Sequence, residues 1–152
     1  MLGSPTRTFI SMDATQRRDR LVGLLSAYEE FEVVGAEVPD HRALRAIVSG
    51  QPDVLIAVAR LEALVKAAWL TRRVQEALPQ CAIVAAADDA PGVQPPGQLA
   101  ADRRLPQDAP LTDLIEAALH AARAQSGAPG RDAPARRRAA GRPPSGPAPV
   151  RR

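Results

Sequence analysis

Seventeen carboxylates, two histidines, one cysteine and twenty basic side chains are the groups of this 152-residue chain that have chemistry to offer, and their spacing decides what they can do. Asp13 stands alone after a short apolar run. It reads as a lone metal ligand or as a cap of the following helix, where carboxylates are favoured. Asp88 and Asp89 form an adjacent acidic pair that opens a Pro/Gly-rich stretch, and this is the pattern of a solvated loop. His41 and His120 are isolated on helical segments without metal-ligand spacing, as surface histidines are. Cys81 has no second cysteine to pair with and lies in an apolar run, so it reads as a buried structural residue. No Ser–His–Asp or Cys–His set, P-loop or Gly-rich dinucleotide pattern is present. The expectation is no enzyme and no cofactor.

The basic residues are unevenly placed. Ser126–Arg152 carries Arg131, Arg136, Arg137, Arg138, Arg142, Arg151 and Arg152 against the single acid Asp132, a charge of +6, which leaves −3 for residues 1–125. That segment holds six prolines and four glycines and almost no large apolar residue. It cannot bury enough surface to offset its ordering entropy and is expected to be a disordered tail. Its arginines suit phosphate contacts. With no aromatic to stack on a base, any binding of nucleic acid there is expected to be weak, salt-sensitive and non-specific.

The elements that must position these groups alternate. Thr8–Met12 is a first strand. Leu21, Leu24, Leu25 and Tyr28 form the apolar stripe of a helix, with Arg17, Arg18, Asp19 and Arg20 off it. Phe31–Gly35 is a second strand. Asp40 caps a short helix with Ala43, Leu44, Ile47 and Val48 inward and Gly50 at its close. Residues 54–58 are apolar without interruption, the mark of a central strand covered on both faces. Residues 61–77 are helical, with Leu64, Ala67, Ala68 and Val74 on one face and Pro79 beyond the end. Cys81–Ala87 is a fourth strand. Five prolines and glycines within 91–97 argue against a regular helix there. Arg103–Leu105 is a short edge strand, and Leu111, Leu114, Ile115, Ala118, Leu119 and Ala122 define a last amphipathic helix. Repeated strand–helix alternation predicts an α/β fold with a five-stranded parallel sheet and helices on both faces. The expected layout is a flexible N-terminus at 1–6, one domain at 7–125 and the tail at 126–152. No stretch approaches the roughly 20 apolar residues of a membrane span, and no secretory run opens the chain, so a cytoplasmic location is expected.

Three colinear segments carry a resemblance. Leu24-Leu25-Ser26-Ala27-Tyr28-Glu29-Glu30-Phe31-Glu32-Val33-Val34-Gly35 resembles the passage from first helix to second strand in receivers of the NarL/LuxR-type bacterial response regulators. Gln51-Pro52-Asp53-Val54-Leu55-Ile56 is similar to the family's approach to its third strand, and Ala101 to Pro110 to its approach to the last helix. The resemblance covers residues 7–124 and implies the receiver, flavodoxin-like fold. It also implies where phosphoryl chemistry would lie, and there the residues depart from the family. The two metal-binding acids fall on Met12 and Asp13, the phosphoacceptor on Val58, the phosphoryl-sensing Thr/Ser on Ala87, the phosphate-pairing Lys on Gln107 and the aromatic switch near Arg104. Phosphoryl transfer is mostly positioning and charge neutralisation, so these replacements remove its means.

The expected function is therefore that of a phosphorylation-independent pseudo-receiver. It would act through protein–protein contacts in signalling or transcription control, with a regulator, a kinase, the transcription machinery or a second copy as partner. Residues 126–152 are too short and polar for the family's helix-turn-helix output domain. Trp69, Arg104, Leu111, Leu114, Ile115, Ala118 and Leu119 are the candidate contact residues. Two alternatives stand beside this one: a nucleic-acid accessory protein working through the tail, and a small-molecule sensor using a pocket vacated at Met12, Val58 and Ala87.

Overall fold

A computed structural model describes residues 4–87 and 99–126; the expectations for the 91–97 stretch, Asp88, Asp89 and the basic tail fall outside them. The described chain runs β1 (Thr6–Met12), α1 (Thr15–Ser26), β2 (Phe31–Glu37), α2 (His41–Gly50), β3 (Val54–Ala59), a single 3-10 turn (Leu61–Ala63), α3 (Leu64–Ala77), β4 (Ala82–Ala87), β5 (Arg103–Pro106) and α4 (Leu111–Ser126). The strands form one parallel sheet in the order β2-β1-β3-β4-β5. The central strand β3 is buried along its whole length, as its unbroken apolar run requires. Among the described residues no helix is long and apolar enough to cross a membrane.

Strand alternation divides the core in two. Phe9, Leu55, Ala57, Ala59, Ile83 and Ala85 face α2 and α3, whose Ala43, Ile47, Leu64, Ala67, Ala68, Leu70 and Val74 cover them. Ile10, Met12, Val54, Ile56, Val58, Val84 and Ala86 face Leu21 and Leu25 of α1 and Leu114, Ile115 and Ala118 of α4. With few aromatics, the layers close at alanine and β-branched positions. Gly35 shows how tight the fit is: a Cβ there would lie 2.5 Å from Cε2 of the buried Phe9 ring. The ladder also shifts register between Thr8 and Phe9, leaving Val34 as the extra residue of β2.

The structure corrects several expectations. Helix α1 ends at Ser26, so Tyr28 lies in the following turn; Leu24 and Tyr28 are exposed and only Leu21 and Leu25 are buried. Val48 is likewise exposed on α2. Gly50 is the last helical residue, and the left-handed position that closes α2 is Gln51, with φ 48°. Arg17 and Arg18, off the apolar stripe, are nevertheless half-buried and turn toward the strand ends.

Asp53 and Asp102, within the resembling segments, are structural. Asp53 receives the Arg7 amide on Oδ2 at 3.0 Å, and its own amide donates to Arg7 O at 2.8 Å. Asp102 repeats the device on β4: Ile83 N donates to Oδ2 and Asp102 N to Ile83 O, both at 2.8 Å. Each carboxylate satisfies a strand-end amide beside the core.

Candidate functional site

The carboxyl ends of parallel strands are where open α/β sheets bind ligands. Here register places Met12 of β1, Val58 of β3, Ala86 of β4 and Leu105 of β5 in one row across the sheet. Ala87 and Pro106 follow in the next row, and Gln107 comes directly after β5. The positions that the resemblance marked are thus brought to one end of the sheet. Their side chains form no polar site. Met12 is 0% exposed and Val58 2%, both within the apolar cluster under α1 and α4. Ala87 is half-buried against the opposite cluster.

Asp13 is the remaining carboxylate, and it is already paired. Arg60, two residues after Val58, directs Nη2 to Asp13 Oδ2 at 3.3 Å and Nε to the same oxygen at 3.4 Å. Arg60 Nε also lies 3.6 Å from Glu62 Oε2. The expectation that Asp13 caps α1 is not met. Ala14 holds the N-cap position without a side-chain bond, because the Asp13 carboxylate is drawn to the guanidinium instead. Asp13 Oδ1 and Ser11 Oγ are buried polar atoms without a hydrogen-bond partner. Alternation along β1 puts Ser11 on the opposite face from Met12.

Two further arginines hold the strand ends. Arg17 of α1 donates through Nη1 to Gln107 O at 3.0 Å and through Nη2 to Ala109 O, tying α1 to the loop before α4. Arg18 donates to Met12 O at 3.0 Å. Three guanidinium groups thus lie at this end of the sheet, bound to two carboxylates and three carbonyls. Sequence reading missed all three. Arg17 and Arg18 stood only as residues off the apolar stripe and Arg60 was not singled out, and only the folded chain brings Arg17 within reach of a residue ninety positions away.

The donor set does not fit Mg²⁺. A hard dication needs several oxygen ligands in near-octahedral geometry. Asp13 offers one carboxylate with a cation on it, and among the described residues no group of three or more His, Cys, Asp or Glu is placed to hold a metal.

The expected contact residues divide. Leu114, Ile115 and Ala118 are buried against the sheet and hold α4 in place, so they are corrected from partner contacts to core. Leu111 and Leu119 are half-buried at its flanks. Arg104 is exposed, with Nη2 on Leu99 O. Leu105, Leu119 and His120 line a polar cleft of about 580 Å³ between β5 and α4, with Arg103, Asp113 and Glu116. Trp69 is half-buried on α3, and His41 is not isolated: its ring meets the Trp69 ring edge-on, centroids 4.9 Å apart. Cys81 is buried, and burial, with Asp53 and Asp102 nearby, pushes its thiol up to about 12.

No protein-family model and no curated protein matches this chain. Solved structures do. The signal receiver domain of the response regulator NarL from Mycobacterium tuberculosis superposes with a TM-score of 0.66 at 24% identity, covering 80% of this chain and 98% of that one. The fold is that of a response-regulator receiver domain. The REC domain of AraT, a response regulator from Geobacillus stearothermophilus, gives 0.61 at 18% identity over 80% of this chain and 96% of its own. The isolated REC domain of RcsB from Salmonella enterica serovar Typhimurium gives 0.59 at 18% identity, over 86% and 94%. The sheet order and the row of strand ends are thus those of a receiver frame.

Proposed function

We propose that this chain is a pseudo-receiver, a regulatory module of bacterial signalling or transcription control that works in the cytoplasm through protein contacts. It takes no phosphoryl group and is not an enzyme. One observation carries the reading: Val58, on which the resemblance places the acceptor, is sealed in an apolar cluster beside Met12, while the neighbouring carboxylate Asp13 is held by Arg60. Phosphoryl transfer requires a nucleophilic oxygen, and a metal and a cation to neutralise developing charge. Here the oxygen is absent and the cation is fixed on Asp13. The same burial speaks against the small-molecule reading, because Met12 and Val58 fill the space a ligand would need.

Incubation with acetyl phosphate and Mg²⁺, read by intact mass, is expected to leave the protein unmodified; stoichiometric addition of a phosphoryl group overturns the proposal. The contact half is tested by affinity capture with nuclease treatment. Protein partners that persist support it, and partners that all vanish with the nucleic acid move the function to the basic tail.

A further inference from the structure

Among the described residues five large apolar side chains are exposed: Leu24, Tyr28, Val38, Val48 and Val65. Four of them fall on two patches. The first is a groove of about 460 Å³ between α2 and α3, lined by His41, Leu44, Val48, Trp69, Arg73 and Glu76, with Ala77 at its lower end. Helical spacing puts Val65, 82% exposed, one turn before Trp69, with Lys66 and Arg45 along the two rims. Within the groove Arg73 is paired with Glu76 at 3.5 Å, so the cations left for a partner are Arg45 and Lys66, which helical spacing sets beside it. The second patch is the corner between α1 and β2. Leu24 and Tyr28, 39% and 38% exposed, stand beside the exposed Glu29 and Glu30, with Arg20 one turn back on α1. The Tyr28 ring is held edge-on against the buried Phe31, centroids 6.0 Å apart, so it projects from a fixed base.

We propose that the α2–α3 groove receives the α1–β2 corner of a second copy of this chain. Leu24 and Tyr28 supply apolar anchors for a floor built on Trp69 and Val48, and Glu29 and Glu30 meet Arg45 and Lys66. Aromatic anchors in a groove with charge-complementary rims are the usual composition of a contact centre. The chain's own tail is the wrong occupant, because its arginines would meet the groove's cations. The two patches lie on opposite faces of the sheet, α1 over one and α2 and α3 over the other, so the contact is heterologous and a pair of copies keeps one free groove and one free corner between them. This gives the proposed contact module a surface away from the phosphorylation end, but it does not depend on that reading.

The test is sedimentation velocity on the full chain over a wide concentration range. Wild type is expected to self-associate reversibly, and less so as salt rises. Val48→Glu in the groove and Glu29→Arg with Glu30→Arg at the corner lie at exposed positions, so circular dichroism should match wild type. Each is expected to weaken self-association by roughly tenfold or more. Mixed together, the two variants should recover a complex limited to one copy of each, since one retains the groove and the other the corner. A wild type that stays monomeric overturns the proposal. So do variants that associate as wild type does, or a mixture that stays monomeric, the result expected of a symmetric contact.

Discussion

Val58 is where the residue scale decides the chemistry. The alternation that makes β3 a central strand turns Val58 into an apolar cluster with Met12, Leu114 and Ile115. An aspartate placed there would bury a carboxyl with no partner, since Arg60 is already held by Asp13. Val58→Asp is expected to cost about 3 kcal/mol or more in urea unfolding and still to give no phosphorylation. An exposed carboxyl at 58 with stability unchanged would show that the cluster opens more readily than its packing indicates. Asp13, by contrast, was legible as the one acid left at this end of the sheet, but its partner was not. The pairing depends on where β1 and β3 end side by side, a relation between residues 47 positions apart.

At the scale of elements, the parallel sheet and its two covered faces followed from strand–helix alternation and from the unbroken apolar run of β3, while the strand order was set by the fold. Helix ends were harder to place. Gly50 looked like the closing residue of α2, but Gln51 takes the left-handed turn and donates its amide to Ile47 O at 2.8 Å. Leu24 and Tyr28 fit a helical stripe by period, but α1 stops before Tyr28 and turns Leu24 outward. Strand packing offers the sharper test. Gly35 in β2 is fixed by the Phe9 ring of β1, which leaves no room for a Cβ and cannot swing away because it is itself enclosed by the core. Gly35→Ala is expected to destabilise by about 1–3 kcal/mol, in contrast to the exposed Gly23, where no atom lies within 4 Å of the added Cβ. Equal effects at the two glycines would mean that the ring is not fixed.

At the scale of the whole molecule, the buried thiol couples folding to alkaline pH. Cys81 is raised from the ordinary 9.0 to about 12, chiefly by burial and then by Asp53 and Asp102. The folded chain keeps this proton after the unfolded chain has released it. The contribution to stability is thus fully present below the ordinary value and is lost as pH rises toward 12. Chemical unfolding across this window should show a fall that Cys81→Ala lessens by up to about 1.4 kcal/mol per pH unit. Identical slopes would mean that the thiol is not shielded. The aspartates involved are those that tie β1 to β3 and seat the start of β4, so the residues behind the receiver resemblance hold the frame together.

The sequence alone determined the architecture, because burial period is local. Alternation, apolar runs and turn residues act over a few positions and are visible without the fold. The resemblance, which needs only colinear spacing, implies that the positions of phosphoryl chemistry fall on Met12, Val58, Ala87 and Gln107. Tertiary structure decided what replaced them. The Asp13–Arg60 pair, the Arg17 bridge to the loop before α4, the burial of Leu114, Ile115 and Ala118, and the ring contact between His41 and Trp69 all join elements distant in the chain. A long charged side chain reads as solvated until folding sets a carboxylate or an unsatisfied carbonyl within its reach, and no period in the sequence records that distance.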